Sequence, residues 1–386
     1  MFDETPLVLV EDAKTLQDVA AQLAKSAVIG VDTEGSSLHH YKEQTSLVQI
    51  SDAKQDYIID PTKCDDMTAL APIFANPDIV KIFHGADYDV VSLKRDFGYQ
   101  IVNIFDTMIA AQMIGGFRLG LADLVDRFFG ITLDKQYQRY DWAKRPLLKE
   151  HLDYARGDSH FLAALRRLLT YRLNKTNRMH RVVEECKLME LREWSEPADE
   201  QAAFLRTKKS GTLDDTGKRV LRALYDYREK EAERCDRPPY KVLSGSVLID
   251  ASMKRPTDEQ RLKKTFPNMH SMRRRFGQGI IKAINAGLAD KRPIPTPQPK
   301  TKANKLIKLK SKRAETTFEA LRDWRNDLIQ TEGNINPVAV ASNSVLRWIA
   351  QSQPKNLSEL SQVPNIRAWQ VKDYGEQILK LLNSLN

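Results

Sequence analysis

Only three cysteines occur among the 386 residues, and no two of them form the close spacing, with histidines nearby, that a metal site needs. Cys64, Cys186 and Cys235 are far apart, which argues against a disulfide framework and a zinc site. The sequence also lacks a run of about 18 consecutive apolar residues, which a membrane-spanning helix requires. Its first residues, MFDETPLVLVEDAK, are acidic where a secretory signal is basic and then apolar. We therefore expect a cytoplasmic protein without membrane association.

Charge is unevenly divided along the chain. Residues 1–172 carry 19 Lys and Arg against 25 Asp and Glu, a net charge of −6, whereas residues 173–386 carry 41 against 26, a net charge of +15. A cationic half is the expected footprint of phosphate-backbone binding, and an acidic half can hold a carboxylate-rich metal site. Lysines that only keep helices soluble would give the same surplus, so charge alone leaves both interpretations open.

Hydrophobic patterns divide the chain into an α/β part and a helical part. Five short β-branched or apolar runs predict strands, at residues 27–33, 46–51, 56–60, 79–84 and 101–105. Segments of helical periodicity lie between and after them, at 14–25, 66–75, 86–96, 106–114, 119–128 and 148–171. The close spacing of the first three strands favours hairpins, and hence a mixed sheet flanked by helices.

An internal repeat occupies the helical part, which starts near residue 175. The segment LYDYREKEAERCDRPPYKVLSGSVL recurs 97 to 98 positions later as LRDWRNDLIQTEGNINPVAVASNSVL, and the alignment pairs Pro239 with Pro337 and Gly277 with Gly375. Two copies of a helical module of roughly 70 residues are the natural interpretation. Between them, prolines at 293, 295, 297 and 299 precede a run of lysines, which predicts an extended cationic linker.

The length and the repeat together predict the domain organisation. A chain of 386 residues exceeds one compact core, so two or three domains are expected. The predicted parts are an α/β domain at 1–175, a helical connector at 176–212, a first module at 213–289, the linker at 290–313 and a second module at 314–386.

Acidic side chains stand at three notable places in the α/β part. Asp32 and Glu34 end an apolar strand, and because residues two apart in a strand project from the same face, both carboxylates can converge on one cation. Asp89 lies within HGADYD, after a second apolar strand and at the start of an amphipathic helix. Tyr154 and Asp158 are four residues apart on a predicted helix and share a face. Each pattern alone is also compatible with an ordinary cap or surface pair.

Together, the three segments resemble the DEDD superfamily of 3′→5′ exonucleases, in its tyrosine-bearing branch, and within it the ribonuclease D family. VIGVDTE resembles the first exonuclease motif, KIFHGADYDVVSLKRDFG the second and LDYARGDSHFL the third, so the likeness extends from about residue 5 to residue 172. IFDT at 104–107 and DWAKRPL at 141–147 resemble segments between the motifs. The resemblance implies a ribonuclease-H-like fold and a 3′→5′ exoribonuclease that releases 5′-mononucleotides one at a time.

The resemblance also implies a set of site residues. Two divalent cations, Mg²⁺ or Mn²⁺, would be held by Asp32, Glu34, Asp89 and Asp158. Hard oxygen ligands suit these ions, and two of them can stabilise both the attacking and the departing oxygen at phosphorus. Tyr154 would orient the attacking water.

The family pattern also implies roles for residues that composition alone does not distinguish. Its metal ligand follows the histidine by five positions, which selects Asp89 and leaves Asp87 as a supporting or surface residue. Lys144 and Arg145 stand where the family carries basic residues near the site, and we expect them to contact nucleic acid; a solvated pair is the alternative.

The repeated module resembles the HRDC domain, a small helical module that ribonuclease D shares with certain helicases. The likeness lies in packing residues such as Leu224 and Pro239, so it implies the fold more than the ligand. In the first copy, Arg273, Arg274 and Arg275 add a basic cluster that we expect to bind phosphates without sequence preference. Truncation near residue 210 is expected to spare cleavage of short single strands and to weaken action on folded RNA.

Three functional alternatives follow from the sequence. The first is an exoribonuclease that acts on RNA as a monomer, with transfer RNA 3′ maturation or stable RNA processing as the role that the family suggests. The second is a DNA 3′→5′ exonuclease, because the motifs do not read the 2′-hydroxyl. The third is a nucleic-acid-binding scaffold with a silent site, which the presence of all four carboxylates and the tyrosine disfavours.

Overall fold

A computed structural model describes residues 5–52, 54–116, 118–195, 200–296, 307–333 and 335–385. Parts of the predicted connector, at 196–199, and of the predicted linker, at 297–306, lie outside these ranges. No helix in the described part of the chain is both long enough and apolar enough to cross a membrane.

The α/β domain contains one six-stranded mixed sheet, which confirms the predicted fold class. Its strands are β1 Leu7–Val10, β2 Val28–Gly35, β3 Thr45–Ser51, β4 Asp56–Ile59, β5 Val80–Phe83 and β6 Ile104–Asp106. They lie in the order β1-β4-β3-β2-β5-β6. β3 and β4 form an antiparallel hairpin, whereas β1 runs parallel to β4, β2 parallel to β5, and β5 parallel to β6. β1 is a strand that the sequence patterns did not predict.

In the described part of the α/β domain, eight α-helices accompany this sheet. They are α1 Ala13–Leu23, α2 Ala71–Ala75, α3 Asp87–Phe97, α4 Thr107–Ile114, α5 Leu121–Phe129, α6 Lys149–His160, α7 Leu162–Lys175 and α8 Met179–Glu190. The single helix predicted at 148–171 is two helices that meet at Phe161. The end of α6 lies very close to β2 there. A Cβ on Gly30 of β2 would be only 2.5 Å from the Ser159 carbonyl oxygen. Glycine at this position therefore permits the close approach.

The two copies of the repeat have closely similar local structures, which differ in the short turn that follows the first helix. The first contains α9 Asp215–Arg234, α10 Pro239–Val242, α11 Gly245–Lys254, α12 Glu259–Thr265 and α13 His270–Ala289. The second contains α14 Lys312–Thr331, a short 3₁₀ turn at Pro337–Ala339, α15 Asn343–Ser352, α16 Leu357–Ser361 and α17 Ala368–Ser384. Ser244 and Ser342 cap α11 and α15 in the same way, and Arg255 and Gln353 end these helices with a positive φ. Equivalent positions thus perform equivalent structural tasks.

By its internal contacts the chain forms two units. One contains residues 1–34, 45–194 and 300–386, and the other contains 35–44 and 195–299. Residues 35–44, which leave the end of β2, thus belong with the first helical module. There the Asp236 carboxylate accepts one hydrogen bond from the Tyr41 amide, at 3.0 Å. Its other oxygen pairs with His40 Nδ1, at 2.7 Å. The boundaries predicted from sequence remain predictions.

The second helical module shares its hydrophobic core with the α/β domain. One continuous cluster of buried side chains includes Leu173 and Val182 as well as Ile335 and Val340. Polar contacts join the same parts: α8 carries Arg181, whose Nε lies 2.7 Å from an Asp373 oxygen. Such a buried interface indicates that these two segments fold as one body.

Candidate active site

Asp32 and Glu34 lie on the same face of β2, near the centre of the sheet. Val31, the residue before Asp32, is fully buried in the hydrophobic core. α6 passes over the face that carries the carboxylates and contributes Asp158. Oxygen atoms of Asp32, Glu34 and Asp158 all lie within 4.8 Å of one another, the only such grouping of acidic, histidine or cysteine ligands within the described residues.

Asp89 lies beside this group but has a different immediate partner. It is in the first turn of α3 with 6% of its surface exposed, and its Oδ1 accepts a hydrogen bond from Thr33 Oγ1 at 2.6 Å. Its oxygens are not among those that converge within 4.8 Å. Thr33 stands between Asp32 and Glu34, so the hydroxyl ties α3 to the strand that carries the other carboxylates. The sequence motifs did not indicate this bond.

Repulsion and burial raise the pKa values of the four carboxyl groups. Burial raises the pKa of Asp32 and of Glu34 well above their ordinary values, with added repulsion from Asp89 and Asp158. Burial and the charge of Asp89 raise the pKa of Asp158 to about 7. Burial raises the pKa of Asp89 to about 6, although the bond from Thr33 opposes this. A cation would remove this repulsion, so the donor set fits the divalent metals that the exonuclease family uses.

Tyr154 lies one turn before Asp158 on α6. Its ring packs against Trp142, with centroids 5.7 Å apart, and against Tyr137, at 5.8 Å. Burial and the nearby Asp158, Glu34 and Asp32 charges raise the pKa of its hydroxyl far above the ordinary value. A raised pKa favours the protonated phenol, whose hydroxyl can donate a hydrogen bond that orients a water molecule.

Asp87, the other carboxylate of the second motif, points to the surface. Its side chain is 63% exposed and lies 3.3 Å from the Arg192 guanidinium. This position agrees with the supporting or surface role expected for it.

The two basic residues predicted near the site have different environments. The Arg145 guanidinium forms a two-bond ion pair with the fully buried Asp60, at 2.5 and 2.7 Å, and also donates to the carbonyls of Trp142, Lys144 and Ser46. Lys144 is exposed. Because every N–H-bearing nitrogen of Arg145 already has a protein acceptor, Lys144 is the better candidate for a phosphate contact.

The predicted arginine cluster of the first module also divides by environment. Arg273 donates to the carbonyls of Phe266 and Pro267, and Arg275 lies over the Phe276 ring at 5.2 Å. Arg274 is exposed on α13. The bonds of Arg273 hold the start of α13 against the end of α12, which carries the exposed Lys263 and Lys264. Arg274, Arg275 and these two lysines are all exposed cations at this corner of the module.

Comparison with known proteins identifies both kinds of domain. A 3′-5′ exonuclease family matches residues 7–174, and the HRDC domain matches residues 217–284 and 314–382. The exosome complex component 10 homolog of Caenorhabditis elegans is 34% identical over 259 residues, which are 66% of this chain and 30% of that protein. Overall, the chain spans 30% to 47% of the length of the eukaryotic relatives that it matches.

A bacterial relative and a solved structure match over more of their length. The crystal structure of Escherichia coli RNase D has a TM-score of 0.71 at 23% identity, covering 98% of this chain and 99% of that chain, which supports the fold. Ribonuclease D of Xanthomonas oryzae pv. oryzae is 32% identical over 287 residues, which are 74% of this chain and 79% of that protein. With both domain types matched as well, this chain belongs to the ribonuclease D family of 3′→5′ exonucleases.

Proposed function

We propose that this chain is an exoribonuclease that hydrolyses RNA from the 3′ end and releases 5′-mononucleotides, with Mg²⁺ or Mn²⁺ as its cofactor. The convergence of Asp32, Glu34 and Asp158 on one point, with Asp89 and Tyr154 beside them, carries this proposal. RNA is favoured over DNA because the relatives named for their activity are ribonucleases and exosome components. Transfer RNA precursors and other structured RNAs with single-stranded 3′ ends are the proposed substrates.

Each residue of the group has a proposed task in this reaction. Asp32, Glu34, Asp89 and Asp158 would hold two cations, which when bound would lower the pKa of water and offset charge on the phosphate. Tyr154 would hold the attacking water in line with the phosphorus, because its protonated hydroxyl lies next to Asp158. Lys144 would contact the RNA backbone, as would the accessible cations of the first module.

The test compares matched substrates under controlled metal conditions. Metal-free protein is incubated with a 5′-labelled RNA, with a DNA of the same sequence, and with a transfer RNA that carries a 3′ extension, each with EDTA, Mg²⁺ or Mn²⁺. We expect stepwise shortening of RNA, with mononucleotide products, only when a divalent metal is present. Faster shortening of the DNA would establish the DNA-exonuclease alternative, and binding without shortening would establish the silent scaffold.

Replacing Tyr154 by phenylalanine is expected to lower kcat by about 10²-fold and to leave KM and Tm close to wild type. The ring keeps its packing against Trp142, and only the hydroxyl that orients water is lost. Single-turnover rates on a short RNA measure the loss in the rate of cleavage, and thermal unfolding measures Tm. Tyr137→Phe is the control, because it removes a neighbouring hydroxyl from the same aromatic cluster. Equal losses in the two variants would contradict a specific role for Tyr154.

Replacing three exposed cations of the first module by glutamine is expected to weaken binding of structured RNA roughly tenfold and to flatten its salt dependence by up to about three charges. The residues changed are Lys263, Lys264 and Arg274. Cleavage of a short single strand should be unaffected, because only its last nucleotides enter the catalytic site. The control replaces three exposed lysines elsewhere in the same unit, Lys208, Lys254 and Lys291. Equal effects on both salt slopes would indicate general attraction rather than a binding surface.

A further inference from the structure

α3, the helix that carries Asp89, does not cap its own start. The residue before the helix is Ala86, which has no side-chain acceptor for the first amide groups. Unsatisfied amides at a helix start need an acceptor, and a carboxylate is especially favourable there. The acceptor is the side chain of Asp106, at the end of strand β6. Its Oδ2 accepts a hydrogen bond from the Ala86 amide at 2.8 Å.

The same Asp106 carboxylate caps a second helix. Its other oxygen, Oδ1, accepts hydrogen bonds from the amides of Met108 and Ile109 at 2.8 and 3.0 Å, which starts α4. Asp106 is fully buried, and it pairs with Phe83 in the parallel register of β5 and β6. Two helices therefore begin from one carboxylate at the carboxyl ends of two neighbouring strands.

β6 itself is held from its outer side. α8 covers this edge strand, where Cys186 Sγ accepts from the Asp106 amide at 3.3 Å and a Glu190 oxygen accepts from the Ile104 amide at 3.1 Å. These bonds satisfy backbone groups that an edge strand would otherwise leave open. Because α8 also carries the contacts to the second helical module, the position of Asp106 is fixed from several directions.

We propose that Asp106 is a positioning residue for the metal ligand Asp89, a role that rests on the proposed function. By holding the Ala86 amide, Asp106 sets where α3 starts relative to the sheet. Asp89 lies three residues further on, and its carboxylate must meet Thr33 and the acidic group on β2. If the start of α3 moves, Asp89 moves away from that group. Supporting partners of this kind typically affect metal affinity or activity about 10- to 100-fold when removed.

Asparagine at position 106 separates the two tasks of the carboxylate. Its single side-chain oxygen can still cap α4, since asparagine is as good an N-cap as aspartate. The amide NH₂ would then face the Ala86 amide, where a donor meets a donor and the bond to α3 is lost. Asp106→Ser makes the same separation with a different group, because a serine hydroxyl caps a helix but cannot reach a second one.

The experiment measures metal binding directly in the full-length protein. Mn²⁺ is titrated into wild type, Asp106→Asn, Asp106→Ser and Asp12→Asn, and free Mn²⁺ is read by electron paramagnetic resonance. Asp12 is the matched control, because it caps α1 with the same type of bond but that helix carries no site residue. We expect a Mn²⁺ Kd raised roughly tenfold in both Asp106 variants, with kcat lowered and KM for RNA unchanged. Asp12→Asn should match wild type in each measurement.

The outcomes separate this inference from the proposed function. Wild-type Mn²⁺ affinity in both Asp106 variants would overturn the positioning role while leaving nuclease activity in place. Loss of folding in both variants would also overturn it, because Asp106 would then act on the fold alone. A wild-type protein that binds Mn²⁺ but cuts no nucleic acid would instead refute the proposed function, whatever the Asp106 variants do.

Discussion

Asp158→Asn is expected to lower RNA hydrolysis by at least about 10³-fold and, at the same time, to raise the Tm of the metal-free protein at pH 8 by about 5 °C. The loss of activity follows from removing one of the carboxylates that converge within 4.8 Å. The gain in stability has the same origin, because that half-buried carboxylate lies beside three others and repels them. A site built to hold cations is destabilising without them.

The raised pKa of Asp158 determines how the stability difference between wild type and variant changes with pH. In the folded protein the pKa of Asp158 is about 7, raised from 3.8 by burial and by Asp89. A raised pKa favours the folded state at low pH, and that advantage is lost as pH rises through 7. The wild type should therefore be nearly as stable as the variant near pH 4 and fall behind it increasingly up to pH 7.

Thermal unfolding across this pH range, with EDTA and then with Mn²⁺, measures the effect. Added metal should reverse the order of the two proteins at pH 8, because the wild type gains more from binding. The control is Asp153→Asn on the same helix, where the carboxylate is 38% exposed and faces Lys149. A metal-free Asp158→Asn protein less stable than wild type at pH 8 would show that the four carboxyls do not repel one another as described.

Local periodicity predicted only which pairs of side chains share a face, and the resemblance to the DEDD exonucleases joined these pairs into one expected site. Asp32 and Glu34 share a face because they are two apart in a strand, and Tyr154 and Asp158 share one because they are four apart in a helix. These rules involve only neighbouring residues, so they need no knowledge of tertiary packing. The structure brings Asp32, Glu34 and Asp158 together.

Interactions between distant segments could not be predicted in this way. The bond from Thr33 to Asp89 joins residues 56 apart, and Asp106 reaches back 20 residues to Ala86. Neither leaves a periodic pattern, since each depends on how helices and strands meet. The assignment of residues 35–44 to the unit of the first module was likewise invisible, because that segment looks like an ordinary loop.

The packing of the second module changes the effect expected from truncation near residue 210. From sequence, two similar modules behind a linker appear equally removable, so truncation near residue 210 is expected to spare the catalytic domain. In the structure, the second module completes the core of that domain. A repeat reveals that two segments fold alike, but it carries no information about what each packs against.

A chain ending at residue 210 is therefore expected to lose solubility and metal-dependent cleavage, even on short single strands. Removing the second module exposes apolar side chains of α7 and α8 and leaves buried Arg181 without Glu332 and Asp373. Arg181 has only 7% of its side chain exposed. Breaking a buried ion pair by removing one partner typically costs about 3–5 kcal/mol, a large share of the stability of a domain.

Complementation with separate fragments tests which of the two modules the catalytic domain needs. Residues 1–210 are produced alone, with residues 307–386, or with residues 213–289, and soluble yield and cleavage of a short RNA are compared. Only 307–386 should restore a soluble, active complex, because it alone supplies Glu332, Asp373 and the apolar face that packs on α8. The 213–289 fragment has the same repeat structure and serves as the matched control. A soluble 1–210 chain with the specific activity of the full protein would contradict the shared core and restore the expectation drawn from sequence.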